Sequence, residues 1–62
     1  MTNEAKRRIL VIDDDRAMRE MLIALLEDAG HEAIGAEGVD VAIERIREEQ
    51  LDAVISDIRM PG

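Results

Sequence analysis

The sequence predicts an α/β fold: a β-α-β-α-β chain whose three strands form one parallel sheet in the order 2-1-3. Three observations carry that expectation. The run Ile9-Leu10-Val11-Ile12 lacks the polar alternation of a half-solvated strand and suits a parallel strand buried on both faces, and the run Ala53-Val54-Ile55-Ser56 reads as a further strand. Between them, apolar residues recur at spacings of three and four, the period of a helix. Both runs stop at aspartates, Asp13-Asp14-Asp15 and Asp57. Right-handed crossovers with the helices on opposite faces put the first strand in the centre and leave the third with an open edge. They also bring the ends of strands one and three side by side.

Each element has its own signal. The first strand is expected at about 8–12 and the first helix at about 16–29. Met18, Met21, Leu22, Leu25, Leu26 and Ala29 mark one face of that helix, and the methionines are read as core packing. Asp15 is placed to cap its amino end, and Gly30 stands where a left-handed residue closes its carboxyl end. The second strand, 31–36, alternates only loosely and contains Gly35. His31, the only histidine, is read as a solvated loop residue. Val39, Ala42, Ile43 and Ile46 mark a second helix over 39–49, preceded by Gly38, with Asp40 in its first turn where a carboxylate suits the helix dipole. Arg45, Arg47, Glu48 and Glu49 fill its solvated faces. The third strand is 53–56, and the segment from Ile58 to Gly62 is read as a loop.

The bulk numbers bound what such a chain can be. Its 62 residues make one domain at most. A chain of this size buries only about 60% of the surface it exposes when unfolded. Apolar residues are 47% of it, but none is aromatic, so the core comes from Ile, Leu, Val, Met and Ala. The absence of cysteine excludes disulfides and thiolate metal sites. Stability missing from so small a core is then expected from oligomerisation or from the rest of a larger domain. A net charge of −7 argues against a nucleic-acid surface or an anionic membrane surface and allows a cationic ligand. No apolar run approaches the roughly 20 residues of a membrane span, and Ile9–Ile12 is too short for the core of a signal peptide. A cytoplasmic location is the expectation.

Asp13, Asp14 and Asp15 follow the first strand, and Asp57 follows the third. In an open parallel sheet, ligands bind beyond the carboxyl ends of the strands, where the strand order reverses. Gathered carboxylates repel one another, and Mg²⁺ would offset that cost, since it takes one or two carboxylates together with water and phosphate oxygens. The residues by themselves leave two readings open: a metal site, or a set of strand-end aspartates with Asp15 as a helix cap. Nor does their spacing say which aspartate would be a nucleophile.

Arg8-Ile9-Leu10-Val11-Ile12-Asp13-Asp14-Asp15 resembles the opening of a response-regulator receiver domain. Ala53-Val54-Ile55-Ser56-Asp57-Ile58-Arg59-Met60-Pro61-Gly62 resembles the segment that carries that family's phosphorylation site. The two segments together, separated by a helix, a strand and a helix, extend the resemblance from about Lys6 to Gly62. The resemblance implies a flavodoxin-like fold and a phosphoacceptor module of a two-component phosphorelay, with a sensor histidine kinase as phosphodonor. It implies that Asp13 and Asp14 bind Mg²⁺, Asp14 directly and Asp13 largely through water. By the same resemblance Asp57 is phosphoacceptor and metal ligand, and Arg59 offers its backbone carbonyl to the metal. Asp15 matches no functional position, and Pro61 and Gly62 shape the loop.

The sequence also departs from the family's pattern. The 62 residues correspond to the first half of a receiver. They lack the later strand whose Ser or Thr senses the phosphoryl group and the last strand whose Lys contacts it. Lys6 precedes the first strand, at the wrong end of the sheet to replace that lysine. The chain is therefore expected to be a phosphoacceptor rather than an enzyme. The alternative is a half-receiver that acts as an assembly module, pairing with a second copy or a complementary half through its open third strand.

Overall fold

The computed structural model describes residues 6–56. They form β1 (Arg8–Ile12), α1 (Arg16–Asp28), β2 (Glu32–Ala36), α2 (Val39–Glu48) and β3 (Ala53–Ser56). The strands make one sheet in the order β2-β1-β3, with both pairings parallel. The expected architecture is therefore the one observed.

β1 is the axis of the molecule. Its apolar run leaves no solvated face, and Leu10 and Val11 are both at 0% exposure. Alternation along a strand sends neighbouring side chains to opposite faces. Leu10 and Ile12 join Ile34, Ala36, Val41, Ala42 and Leu51 in a cluster beneath α2. Val11 lies in register with Gly35, the residue against which Arg19 and Ile23 of α1 pack. One helix thus covers each face.

α1 is bounded by local chemistry. The Asp15 carboxylate accepts the amides of Ala17 (3.0 Å) and Met18 (3.3 Å), two donors that no carbonyl of the helix can reach. At the other end Gly30, with φ 95°, closes a Schellman turn. Its amide donates to the Glu27 carbonyl, and that of His31 donates to Leu26, both at 3.0 Å. This turn draws His31 back toward the helix. Its side chain is half-buried, and its Nδ1 is enclosed without a partner among the described residues, where a solvated loop residue was expected.

The helix faces differ from the sequence expectation. α1 packs on β1 and β2 through Leu22, Ile23 and Leu26, which are half-buried. Met18, Met21 and Leu25 face outward, Met21 at 50% and Leu25 at 59% exposure, and Ala29 is also exposed. On α2, Ala42 is buried and Val41 packs beside it, while Val39, Ile43 and Ile46 are exposed. The physical reason is the width of the sheet. Each apolar stripe is broader than the strip of β1 and β2 it covers, and neither helix touches β3. All four residues of β3 are exposed as a result, Val54 and Ile55 among them.

Loss of a capping carboxylate costs about 1 kcal/mol. Asp15→Ala is accordingly expected to lower stability by about that amount and Asp15→Asn by much less, as measured by urea unfolding followed by circular dichroism.

Candidate functional site

The two ends of the sheet treat their charges differently. At the amino end the acids have partners. The Arg8 guanidinium lies 3.2 Å from both Glu32 and Glu49, and the Asp52 carboxylate accepts the Arg8 amide at 2.7 Å. At the carboxyl end of β1 stand Asp13 and Asp14, and neither forms an ion pair among the described residues.

Asp13 continues the ladder one residue past β1, its amide donating to the Ala36 carbonyl at 3.1 Å. It is only 3% exposed, the one buried charged residue among those described. One carboxylate oxygen, Oδ1, accepts the amide of Asp15 at 2.9 Å, the short-range turn that aspartate forms readily. The other, Oδ2, is buried with no hydrogen-bond partner among the described residues. Asp14 lies at the bend between them and is exposed. Asp15 is the helix cap, as expected.

Arg19 is the residue that sequence reasoning missed. From the first turns of α1 its Nη1 donates to the Asp13 carbonyl at 2.7 Å. Its stem crosses β2 at Gly35: a Cβ there would lie 3.1 Å from Arg19 Cδ and 3.0 Å from Ile23 Cδ1. The sequence held a signal in the glycine inside a strand, which often marks a close approach.

Ser56 pairs in register with Ile12, so the described part of β3 ends level with the start of the acidic loop. Asp57, Arg59, Pro61 and Gly62 lie outside the described residues. Among the described residues no group of three or more metal-ligating side chains forms. The donors that are present nevertheless suit a hard cation. They are carboxylate oxygens, one of them buried and unpartnered, and Mg²⁺ selects oxygen ligands.

Comparison with known proteins decides the family. The profile of the response regulator receiver domain matches residues 9–62. The chain belongs to the response regulator receiver domain family. Receivers are the response modules of two-component systems, and curated relatives agree. Over 55 residues the chain is 46% identical to the sensory/regulatory protein RpfC of Xanthomonas campestris pv. campestris, covering 89% of this chain and 8% of that protein. It is 38% identical over 55 residues to the response regulator protein FleR of Pseudomonas aeruginosa, covering 89% of this chain and 12% of FleR. To the phosphate regulon transcriptional regulatory protein PhoB of Escherichia coli it is 38% identical over 56 residues, covering 90% of this chain and 24% of PhoB. The receiver chain thus spans less than a quarter of the length of these relatives. No solved structure matches it.

A buried polar atom left without a partner costs about 1–3 kcal/mol. Removing the charge from Asp13 should relieve part of that cost. Asp13→Asn is expected to raise the stability of the metal-free receiver by about 1 kcal/mol, measured by urea unfolding in the presence of a chelator.

Proposed function

We propose that this receiver is an Mg²⁺-dependent phosphoacceptor and that Asp57 takes the phosphoryl group. The observation that carries the reading is the buried, unpartnered Oδ2 of Asp13 at the carboxyl end of the central strand, in a chain of this family. Asp13 and Asp14 hold the cation, together with Asp57 and the backbone carbonyl of Arg59. A bound Mg²⁺ supplies neutralising charge for the oxygens of the incoming phosphoryl group.

The chain's own part is to place carboxylates. The Asp15 amide on Oδ1 fixes the Asp13 carboxylate and leaves Oδ2 as the available oxygen. A carboxylate oxygen of Asp57 attacks phosphorus as the bond from phosphorus to the donor's imidazole nitrogen breaks. The imidazole keeps the electron pair and is then protonated. A sensor histidine kinase is the donor this chemistry calls for, and relatives named as sensory/regulatory and sensor proteins support it. The chain is in this reading a phosphoacceptor rather than an enzyme, working in the cytoplasm. No helix among the described residues is long and apolar enough to cross a membrane.

Asp57→Asn is expected to abolish labelling by a small phosphodonor while leaving the amide spectrum of residues 6–56 intact. Asp14→Asn is expected to weaken Mg²⁺ binding about tenfold or more, read by titration of amide shifts. Labelling that survives in Asp57→Asn ends the proposal.

One set of observations favours a second reading, an assembly module. Met18, Met21, Leu25 and Ile55 are exposed, as are Val39, Ile43, Ile46 and Val54, and among the described residues β3 pairs along one edge only. A symmetric dimer joined through β3 would continue the sheet and cover apolar surface. It predicts association without Mg²⁺ or phosphate. Light scattering that shows a monomer throughout a concentration series would dispose of it.

A further inference from the structure

We propose that Arg19 is the positioning residue of the acidic loop, and that residue 35 is glycine because the Arg19 stem has to cross β2 there. The inference rests on the reading of Asp13 and Asp14 as ligands of a divalent cation and goes beyond it, to what holds those ligands in place.

The Asp13 peptide is fixed from three directions. Its amide donates to Ala36 on β2, its carbonyl accepts from Arg19 on α1, and its Oδ1 accepts from Asp15 at the helix start. The first bond belongs to the sheet and the third to the helix cap. The Arg19 bond alone joins the body of α1 to the loop. At 2.7 Å it is short, and a guanidinium makes it charge-assisted. It also leaves Oδ2 of Asp13 without a hydrogen-bond partner among the described residues. The neighbouring Arg16 serves another purpose, pairing with Glu20 at 3.0 Å on an exposed surface.

Gly35 is the second half of the device. It lies in β2 opposite Val11, directly beneath the Arg19 stem. A Cβ at this position would stand 3.1 Å from Cδ and 3.4 Å from Cγ of Arg19, and 3.0 Å from Ile23 Cδ1. The two shorter approaches are tighter than ordinary contact, so the Arg19 stem and Ile23 would have to give by a few tenths of an ångström, which displaces the stem that carries the bond to the Asp13 carbonyl. No left-handed backbone requires this glycine, because Gly30 is the only glycine with positive φ among the described residues. The space taken by Arg19 and Ile23 accounts for it.

The test compares the whole chain with Arg19→Met, Arg19→Lys, Arg19→Ala, Gly35→Ala and the double variant Arg19→Ala with Gly35→Ala. Two quantities are read by NMR: the exchange rate of the Asp15 amide without metal, and the affinity for Mg²⁺ from amide shifts. Arg19→Met keeps a stem of similar length and loses the donor. It should speed Asp15 exchange about tenfold and weaken Mg²⁺ binding about tenfold. Arg19→Lys, which can still donate to the carbonyl, should recover part of both. Gly35→Ala should reproduce the loss when Arg19 is present and add little once residue 19 is alanine, so the two substitutions are non-additive.

Unchanged exchange and affinity in Arg19→Met would reduce Arg19 to packing and overturn the proposal, as would strict additivity of the two positions. If the parent chain binds no Mg²⁺, the cation reading fails, and the metal-free exchange rates still decide the role of Arg19. If Arg19→Met does not fold, the comparison of Arg19→Lys with Gly35→Ala carries the same test.

Discussion

The structure depends on β1 being hydrogen-bonded along both edges and covered on both faces. No other element has that degree of confinement. Parallel pairing with β2 and β3 satisfies its backbone, and Leu10 and Val11 bury apolar groups toward opposite helices. The buried stretch of this strand, Ile9 to Val11, holds apolar residues only, so the first polar residue after the strand falls at the rim of the sheet. That residue is Asp13, which still shares the burial of the strand it ends. The candidate site is thus a direct product of the strand: a carboxylate carried to the edge of the core by a backbone that cannot yield.

The distribution of charge follows from the same axis. Exposed ion pairs such as those of Arg8 with Glu32 and Glu49 contribute modestly to stability, about 0–1 kcal/mol each. Their value at the amino end is that the acids there are already occupied. At the carboxyl end Asp13 and Asp14 have no ion-pair partner among the described residues, and one oxygen of Asp13 has no hydrogen-bond partner there. A metal or phosphoryl site needs that imbalance, and a fold selected for stability alone would have removed it.

The fold was legible in the sequence because its signals are local or topological. The apolar run of β1, without alternation, announced a strand buried on both faces, and the handedness of crossovers gave the strand order. Asp15 and Gly30 were legible because caps are written within a few residues of the helix end. The packing faces were not, because helical spacing reports that a stripe is apolar without saying which part of it meets the sheet. Leu22 and Leu26 were placed correctly, but Met18, Met21 and Leu25 point away, and Ile23 took a contact that the spacing did not assign. Asp13 and Asp14 were singled out by position and family resemblance. Arg19 was invisible because arginines on helices are usually solvated, and its role appears only when α1 is laid across Gly35.

The exposed β3 gives the sheet a gradient of protection. Opening β3 breaks one ladder and exposes little that helices had covered, whereas opening β1 breaks both ladders and the core together. Amide exchange should therefore run from slow at β1 to fast at β3. Asp13 stands on the slow side of that gradient and Ser56 on the fast side. A ligand that tied the edge strand to the central one would show its binding energy as slower local opening of β3. Ligand occupancy and the order of the sheet's edge would then be two measures of the same equilibrium.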